Sequence, residues 1–236
     1  MDPSTDELLD NPFWHALITE HATLAIGSGP VRRYPAEVVP FAGLAEHRAD
    51  VMEALRELLA PGESIFVMGE ALPECAGLTQ LSELSGWQML RETPEIAASQ
   101  PIGSSFAVVE RLTAEHAPAM VALTDVAFPG YFRPETYRMG SYYGIRVQGE
   151  LVAMAGERLA LPRFREVSAV CTHPAHTGRG YAAQLMRHVM RTHLAQGLRT
   201  FLHVAASNQR AIDLYQRLGF VKRRSVLFHH LQRTPR

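Results

Sequence analysis

Short apolar runs alternate with longer amphipathic segments along the second half of the chain, and the alternation marks out its elements. Apolar runs bounded by turn residues predict β-strands. The predicted strands lie at 105–112, 141–147, 151–161, 166–173, 199–206 and 220–231, the last run being long enough for one or two strands. A QGE turn joins the second and third strands into a hairpin.

Three segments between these strands repeat apolar residues at helical spacing. The first begins at Thr113, a suitable capping residue, and runs to about Phe128. The second covers 178–195 and stops at a glycine, and the third covers 208–218 and also stops at a glycine. The predicted apolar face of the second helix is Ala182, Leu185, Met186, Val189, Met190 and Leu194. From residue 105 the order is β-α-β-β-β-α-β-α-β, which predicts an α/β fold.

The first hundred residues follow a looser pattern. Their predicted elements are a helix at 47–59, a buried strand at 63–72 and loop or edge structure at 27–43. Two prolines and little periodicity over 91–103 are typical of a linker. The sequence therefore predicts an N-terminal αβ lobe over 1–100 and a second domain over 104–236.

Composition and charge exclude several classes of protein. The net charge of −1 argues against a general nucleic-acid binder, which needs a strongly positive surface. Cys75 and Cys171 are too few for a disulfide framework or a cysteine zinc site. The chain has no apolar run long enough to span a bilayer, and its start has neither the basic nor the apolar region of a secretory signal. We therefore expect a cytoplasmic monomer or homodimer without nucleic-acid or membrane partners.

A glycine-containing turn joins the predicted strand 166–173 to the helix that follows it. Gly178 and Gly180 stand where the helix begins, although ordering glycine costs more entropy than ordering any other residue. The first N–H groups of a helix lack intrahelical partners, and together with the helix dipole they attract phosphate. The glycines would let a diphosphate approach this backbone, and Arg179 adds positive charge; a plain structural turn is the alternative. Because the motifs GxxxxGK[ST] and GxGxxG are both absent, the sequence favours another phosphorylated cofactor.

Two motifs around this turn resemble those of the GNAT superfamily of N-acetyltransferases. Residues 177–182 read TGRGYA and are similar to the family's [Q/R]-x-x-G-x-[G/A] pattern after the fourth core strand. Residues 208–220 read NQRAIDLYQRLGF and are similar to its Asn…Ala…Leu-Tyr…Gly-Phe helix. Thr177 departs from the usual Gln or Arg, which removes one side-chain contact but leaves the backbone donors.

The resemblance covers about 105–231 and is closest to the branch of two-lobed acyltransferases such as glycine N-acyltransferase. It implies a mixed, splayed β-sheet flanked by helices. It also implies that the additional N-terminal αβ lobe is a degenerate copy of the same fold, which supports or shapes the acceptor site without binding cofactor.

Acetyl-CoA is the co-substrate that the resemblance implies. Backbone amides of 178–182 would hold its diphosphate, and its pantetheine arm would pair with 170–172 like an added strand. A backbone N–H near Val170 would polarise the thioester carbonyl, as an oxyanion-hole donor does. The implied cofactor-binding set is Val170, Cys171, Thr172, Thr177, Gly178, Arg179, Gly180, Tyr181, Ala182, Asn208, Ala211 and Tyr215.

The catalytic residues that the resemblance implies are Tyr215 and a carboxylate. Tyr215 would protonate the departing thiolate; the alternative is a buried packing residue, because it lies four residues after Ala211 on one helix. Glu166 begins the fourth strand, where some family members place a general base that works through water; its alternative is a surface ion pair with Arg163 or Arg165. Glu157, on the preceding strand, is the second candidate for the base.

Three further features each have a competing interpretation. Cys171 suggests a covalent acyl-enzyme, but direct transfer needs none, and a small apolar strand residue is the simpler interpretation. His173 and His176 suggest a metal, yet without a third ligand nearby we expect solvated loop histidines and no metal site. The aromatic-rich loop 128–137 either shapes the acceptor pocket or covers the core.

The sequence therefore predicts an N-acetyltransferase that moves the acetyl group of acetyl-CoA directly onto a small-molecule or peptide amine. One alternative is a non-catalytic acyl-CoA-binding sensor module, and another is a transferase for a longer acyl chain or for an amino-acid conjugate. A third, association with RNA or the ribosome during protein N-terminal acetylation, is weakened by the near-neutral charge, although residues 221–236 are locally basic.

Overall fold

The computed structural model describes residues 5–92 and 107–235. Within these ranges the helices are α1 (Pro12–Ile18), α2 (Ala49–Leu58), α3 (Ala117–Ala127), α4 (Tyr181–Ala195) and α5 (Gln209–Arg217). The strands are β1 (Val31–Arg33), β2 (Ala42–Leu44), β3 (Ser64–Met68), β4 (Leu78–Arg91), β5 (Glu110–Leu112), β6 (Tyr142–Val147), β7 (Glu150–Leu161), β8 (Phe164–Thr172), β9 (Arg199–Ala205) and β10 (Phe220–Arg233). None of the described helices combines the length and the apolar content needed to span a bilayer.

One large mixed sheet organises the molecule. Its eight strands follow the order β3-β10-β4-β9-β8-β7-β6-β5, and the β8–β9 pair is parallel while the other pairs are antiparallel. β1 and β2 form a separate two-stranded sheet. The α/β class and the mixed sheet that the sequence predicts are confirmed.

Helices cover both faces of the large sheet. On one face, α4 and α5 pack against alternate residues of the central strands, among them Met89, Val167 and Leu202. On the other face, α1 packs against strand residues whose side chains point to the opposite side of the sheet, including Leu90 and Phe201. α3 also lies on this second face, where it forms a cluster with β7 and β8. Burying these apolar surfaces contributes about 25 cal/mol for each Å² removed from water.

The closing segment agrees with one of its two predicted forms, whereas two other predicted elements differ in detail from the structure. The strand predicted at 105–112 is only β5, because 107–109 are not in a strand and 105–106 lie outside the described residues. The closing segment forms one strand, β10. On α4, the predicted core residue Leu194 is 44% exposed, and the neighbouring His193 is fully buried instead, where it bonds to Glu157 and Thr200.

β4 is an element that the sequence analysis missed, and it occupies a central place in the sheet. It lies between β9 and β10, so a strand from the first hundred residues separates two strands of the second half. Residues 79–85 are exposed and carry no apolar alternation, which explains why the pattern did not predict a strand. The division at residues 100–104 stays a prediction, since it falls on residues outside those described.

Candidate functional site

The parallel strands β8 and β9 separate soon after they meet. They pair only through Phe164–Glu166 and Arg199–Phe201. Beyond this point β8 continues along β7 to Thr172, while β9 continues along β4 to Ala205. The sheet therefore opens into a wedge whose narrow end lies at Glu166 and whose sides are 167–172 and 202–205.

A β-bulge lies on the β8 side of this wedge. Two residues, Ala169 and Val170, fall between the paired positions Ser168 and Cys171, whereas β7 has only one residue in the matching interval. Ala169 has a φ of 52°, which is unfavourable for a residue with a side chain and costs about 1–3 kcal/mol. A bulge leaves backbone groups of the extra residue outside the ladder. The predicted position of the polarising N–H, Val170, is therefore at a break in regular pairing.

The glycine turn follows β8 directly. After a 3₁₀ turn at Pro174–His176, Gly178 and Gly180 have φ values of 78° and 75°, a conformation that glycine adopts without strain. Gly180 is the capping residue of α4 and, having no side chain, makes no capping hydrogen bond to the N–H groups of the first turn. A Cβ added at Gly178 would meet no atom of the described residues within 4 Å beyond its chain neighbours, so nothing in this part of the chain is packed against that position.

The predicted contact residues of the turn and of the start of α5 differ in whether their side chains already form hydrogen bonds within the protein. The hydroxyl of Thr177 donates to the carbonyl of Pro174 at 3.1 Å and so stabilises the turn itself. Arg179 is exposed, and Tyr181 and Ala182 are half-buried at the start of α4. The side chain of Asn208 caps α5 by accepting the N–H of Ala211 at 3.1 Å. Two of the predicted contact residues thus have structural bonds of their own.

Tyr215 lies on α5 with its side chain packed into the core beneath that helix. It is 8% exposed, and its ring centre lies 6.1 Å from that of Phe220. Burial raises the pKa of Tyr215 to about 12, so the hydroxyl stays protonated across the physiological range. Both interpretations made from the sequence, a packing residue and a proton donor, are compatible with this placement.

Glu166 is fully buried at the narrow end of the wedge. Its carboxylate accepts from both ends of the Arg158 guanidinium, with Nε to Oε2 at 2.9 Å, and bonds to Nδ1 of His203 at 2.8 Å. Burial alone would raise the pKa of Glu166, but the charge of Arg158 and the hydrogen bonds from Arg158 and His203 outweigh it and lower the pKa to about 2. A carboxylate held in this way is a weak base.

Glu157, the second candidate for the base, is also held by partners. Oε1 bonds to Nε2 of His193 at 3.0 Å, and Oε2 accepts the backbone N–H of Ser141 at 3.0 Å. Burial raises the pKa of Glu157, but these two hydrogen bonds outweigh it, and the pKa is lowered overall. Neither predicted carboxylate is therefore poised to take up a proton near neutral pH.

The environments of Cys171, His173 and His176 bear on two chemistries considered from the sequence, a nucleophilic cysteine and a metal site. Cys171 is buried, and burial raises the pKa of its thiol to about 12, so it is not a nucleophilic thiolate. Nδ1 of His173 accepts the N–H of Ala175 at 3.2 Å, while Nδ1 of His176 is buried without a partner among the described residues. Within 5–92 and 107–235, no group of three or more His, Cys, Asp or Glu is arranged to hold a metal.

Comparison with known proteins assigns the family. The FR47-like protein family model matches residues 142–229. A structure from Novosphingobium aromaticivorans, assigned to the GNAT family of acetyltransferases, is 34% identical and covers 96% of this chain and 98% of its own, with a TM-score of 0.85. The chain belongs to the GNAT family. The superfamily that the two sequence motifs predict is therefore confirmed, and the closer relationship to one branch of it stays a prediction.

Two other structures share the GNAT fold at lower identity. A GCN5-related N-acetyltransferase from Kribbella flavida is 20% identical, with a TM-score of 0.60 over 93% of this chain and 95% of that one. A Drosophila protein is 16% identical, with a TM-score of 0.62 over 87% of this chain and 74% of that one. No curated protein sequence gives a significant match. The family and fold of the chain are those of acyltransferases.

In this GNAT-family chain, the loop 128–137 contacts the N-terminal part of the molecule. Arg133 Nη1 donates to the carbonyl of Ala36, and the Thr136 hydroxyl donates to the carbonyl of Val38, both at 2.6 Å. The ring of Tyr131 lies 5.8 Å from that of Phe66 on β3. These contacts favour the interpretation in which the loop covers the core. They do not bear on whether it also shapes the acceptor pocket.

A cavity of about 240 Å³ opens on the α1 face of the sheet. Polar groups of Asp10, His47, Glu70 and Arg224 line it, and Val226 forms part of its apolar floor. Val226 lies opposite Gly86 of β4, which lies opposite Ala205 at the open end of the wedge. Since strands are about 4.8 Å apart, the floor of the cavity is roughly 10 Å from the β9 side of the wedge.

Sequence reasoning missed three polar residues at the narrow end of the wedge. Gln88 is fully buried, the side chain of His203 is 2% exposed, and that of Arg158 is 20% exposed. His203 sits among apolar residues of a predicted strand, and a histidine in such a position was the one available signal. No local pattern indicates that these three residues meet Glu166, because they come from separate strands.

Proposed function

We propose that this chain is an N-acetyltransferase that moves an acetyl group from acetyl-CoA directly onto an amine. The observation that carries the proposal is the wedge between β8 and β9, which ends in the open glycine turn at the start of α4. The N–H groups of the first turn, which lack intrahelical partners, form a site for a diphosphate together with the helix dipole and Arg179. A diphosphate held there directs the rest of the molecule along β8.

Residues of β8 and α5 would carry the chemistry. The thioester would lie beside the bulge, where a main-chain N–H near Val170 polarises its carbonyl; losing such a donor costs about 3 kcal/mol of transition-state stabilisation. The amine nitrogen bonds to the carbonyl carbon as the carbon–sulfur bond breaks, and the electron pair leaves on sulfur. Tyr215, kept protonated by burial, donates its proton or a hydrogen bond to that thiolate.

We propose that the amine acceptor binds on the α1 face of the sheet and enters through the cavity lined by Asp10, Glu70 and Arg224. An amine with a pKa near 10.4 arrives protonated at neutral pH and must lose a proton before it reacts. Glu166 occupies the position at which the family resemblance implies the base, but its ion pair with Arg158 opposes that role. Solvent water on the α1 face is therefore the simplest acceptor for the proton that the amine loses.

Calorimetry with coenzyme A tests the cofactor site directly. We expect a heat of association with one site per chain; no heat at millimolar coenzyme A would overturn the proposal. Arg179→Glu should weaken binding about tenfold, because reversing one charge beside a diphosphate changes the interaction by about 1–2 kcal/mol at a solvated site. Arg191→Glu, an exposed position in the later turns of the same helix, is the matched control and should bind as the wild type does.

Tyr215→Phe tests the proton donor. It removes only the hydroxyl, so we expect kcat to fall about 100-fold while the melting temperature changes little. The measurement is release of free thiol from acetyl-CoA with a panel of amines. An unchanged kcat would return Tyr215 to a packing role.

The same assay separates the proposal from its alternatives. A sensor module would bind coenzyme A and show no transfer to any amine. A transferase for longer acyl groups would be faster with longer acyl-CoA thioesters than with acetyl-CoA.

A further inference from the structure

A row of polar side chains crosses five neighbouring strands at the narrow end of the wedge. It consists of Arg158 on β7, Glu166 on β8, His203 on β9, Gln88 on β4 and Arg223 on β10. Each is hydrogen-bonded to the next. Buried polar groups destabilise a fold unless they are paired, so a complete row of this kind restricts how its strands can be arranged.

Gln88 determines which ring nitrogen of His203 carries the proton. Its Oε1 accepts from Nη1 of Arg223 at 2.9 Å, and its Nε2 donates to the carbonyl of Leu9 at 2.7 Å. Because arginine only donates and a carbonyl only accepts, these two bonds fix the orientation of the amide. The second N–H of Gln88 then donates to Nε2 of His203, 3.1 Å away.

His203 Nε2 must therefore be an acceptor, which leaves the proton on Nδ1. That proton is donated to Oε1 of Glu166, at 2.8 Å. Glu166 is the last residue of β8 that pairs with β9, and its backbone partner is Phe201, two residues before His203. The bond between these side chains consequently spans the two strands at the point where they separate.

We propose that Gln88 is a positioning residue for acyl transfer, acting through His203 and Glu166 to set the opening between β8 and β9. This inference rests on the proposed function, since the thioester would lie in that opening. Gln88 belongs to the strand inserted from the first hundred residues and also holds the carbonyl of Leu9. It therefore gives the N-terminal part of the chain a specific role in the geometry of the site.

Gln88→Leu is the test, because leucine has a similar size and no polar group. We expect kcat to fall about tenfold. A 1 Å misplacement of the reacting groups lowers the rate about 100-fold, and the displacement expected here is smaller. The dissociation constant of coenzyme A should change less than kcat, because the glycine turn that would hold the diphosphate is untouched. Gln80→Leu is the matched control: Gln80 is on the same strand and contacts Nδ1 of His229 at 3.2 Å, away from the wedge. Equal kcat values in the two variants would overturn the proposal.

Nitrogen-15 spectra of the histidine rings provide a readout that does not depend on activity. In the wild type we expect His203 to carry its proton on Nδ1, and a proton on Nε2 would overturn the proposal. Backbone amide shifts of 167–171 should change in Gln88→Leu and not in Gln80→Leu; no difference between the variants contradicts positioning. These spectra apply even if the wild type shows no acyl transfer, which would count against the proposed function alone.

A second variant covers the case in which Gln88→Leu does not fold. Arg223→Ala removes the donor that fixes the amide of Gln88, at a side chain that is 21% exposed and therefore more tolerant of change. We expect the same amide shifts and a smaller fall in kcat. Unchanged shifts together with an unchanged kcat would also contradict the proposal.

Discussion

A chain that begins at residue 101 is expected to be insoluble and inactive. The truncation removes β3 and β4, so β10 loses both of its neighbours in the sheet and β9 loses one of its two. It also exposes residues of the second half that α1 covers in the intact chain, including Phe164, Phe201 and Val226. Exposed apolar surface and three unpaired strand edges favour aggregation. Soluble yield and acetyl transfer by the fragment are the measurements.

Co-expression of 1–100 with 101–236 is the matching control. If the loss comes from the missing strand, the two fragments should associate and recover part of the activity, because all strand partners are again present. A soluble and fully active fragment 101–236 on its own would contradict the supporting role proposed for the N-terminal part.

Glu166→Gln is expected to lower the free energy of unfolding by about 3 kcal/mol at neutral pH. It leaves the Arg158 guanidinium without its counter-charge, a change that costs about 3–5 kcal/mol for a fully buried pair. The lower end applies because the side chain of Arg158 retains 20% of its exposure. Denaturant unfolding measures the change. Glu135→Gln, which breaks the exposed pair between Glu135 and Arg138, is the matched control and should lose less than about 1 kcal/mol.

The stability difference should also depend on pH in a defined direction. The pKa of Glu166 is lowered from 4.5 to about 2 in the folded chain, so its ionised form contributes fully above pH 4.5. That contribution is lost as the pH falls through about 2, and the free energies of unfolding of the variant and the wild type should converge there.

The pH profile of kcat tests whether Glu166 is the general base. Any acidic limb near neutrality should keep its position in Glu166→Gln; a shifted limb would identify Glu166 as the base.

The part of the site that the sequence predicted is local in the chain. The turn with Gly178 and Gly180, the helix after it and the motif residue Asn208, which the structure shows to cap α5, depend on contacts within a few residues. Such contacts leave a pattern in the sequence, because positive φ requires glycine and an exposed helix start favours a capping side chain. The motifs that carry the GNAT resemblance are of this kind, and they were sufficient to indicate the family.

Only the tertiary structure decided the environment of the carboxylate and the place of β4. The sequence left Glu166 as a general base or a surface ion-pair partner, yet it is fully buried against Arg158 on β7 and His203 on β9. Gln88 reaches the same row from a strand 115 residues away from His203 in sequence. No periodicity within one segment encodes which strands become neighbours, since that depends on pairing and burial summed over the whole sheet. The local backbone of the site was therefore determined by its own residues, whereas its electrostatics were determined by the order of the strands.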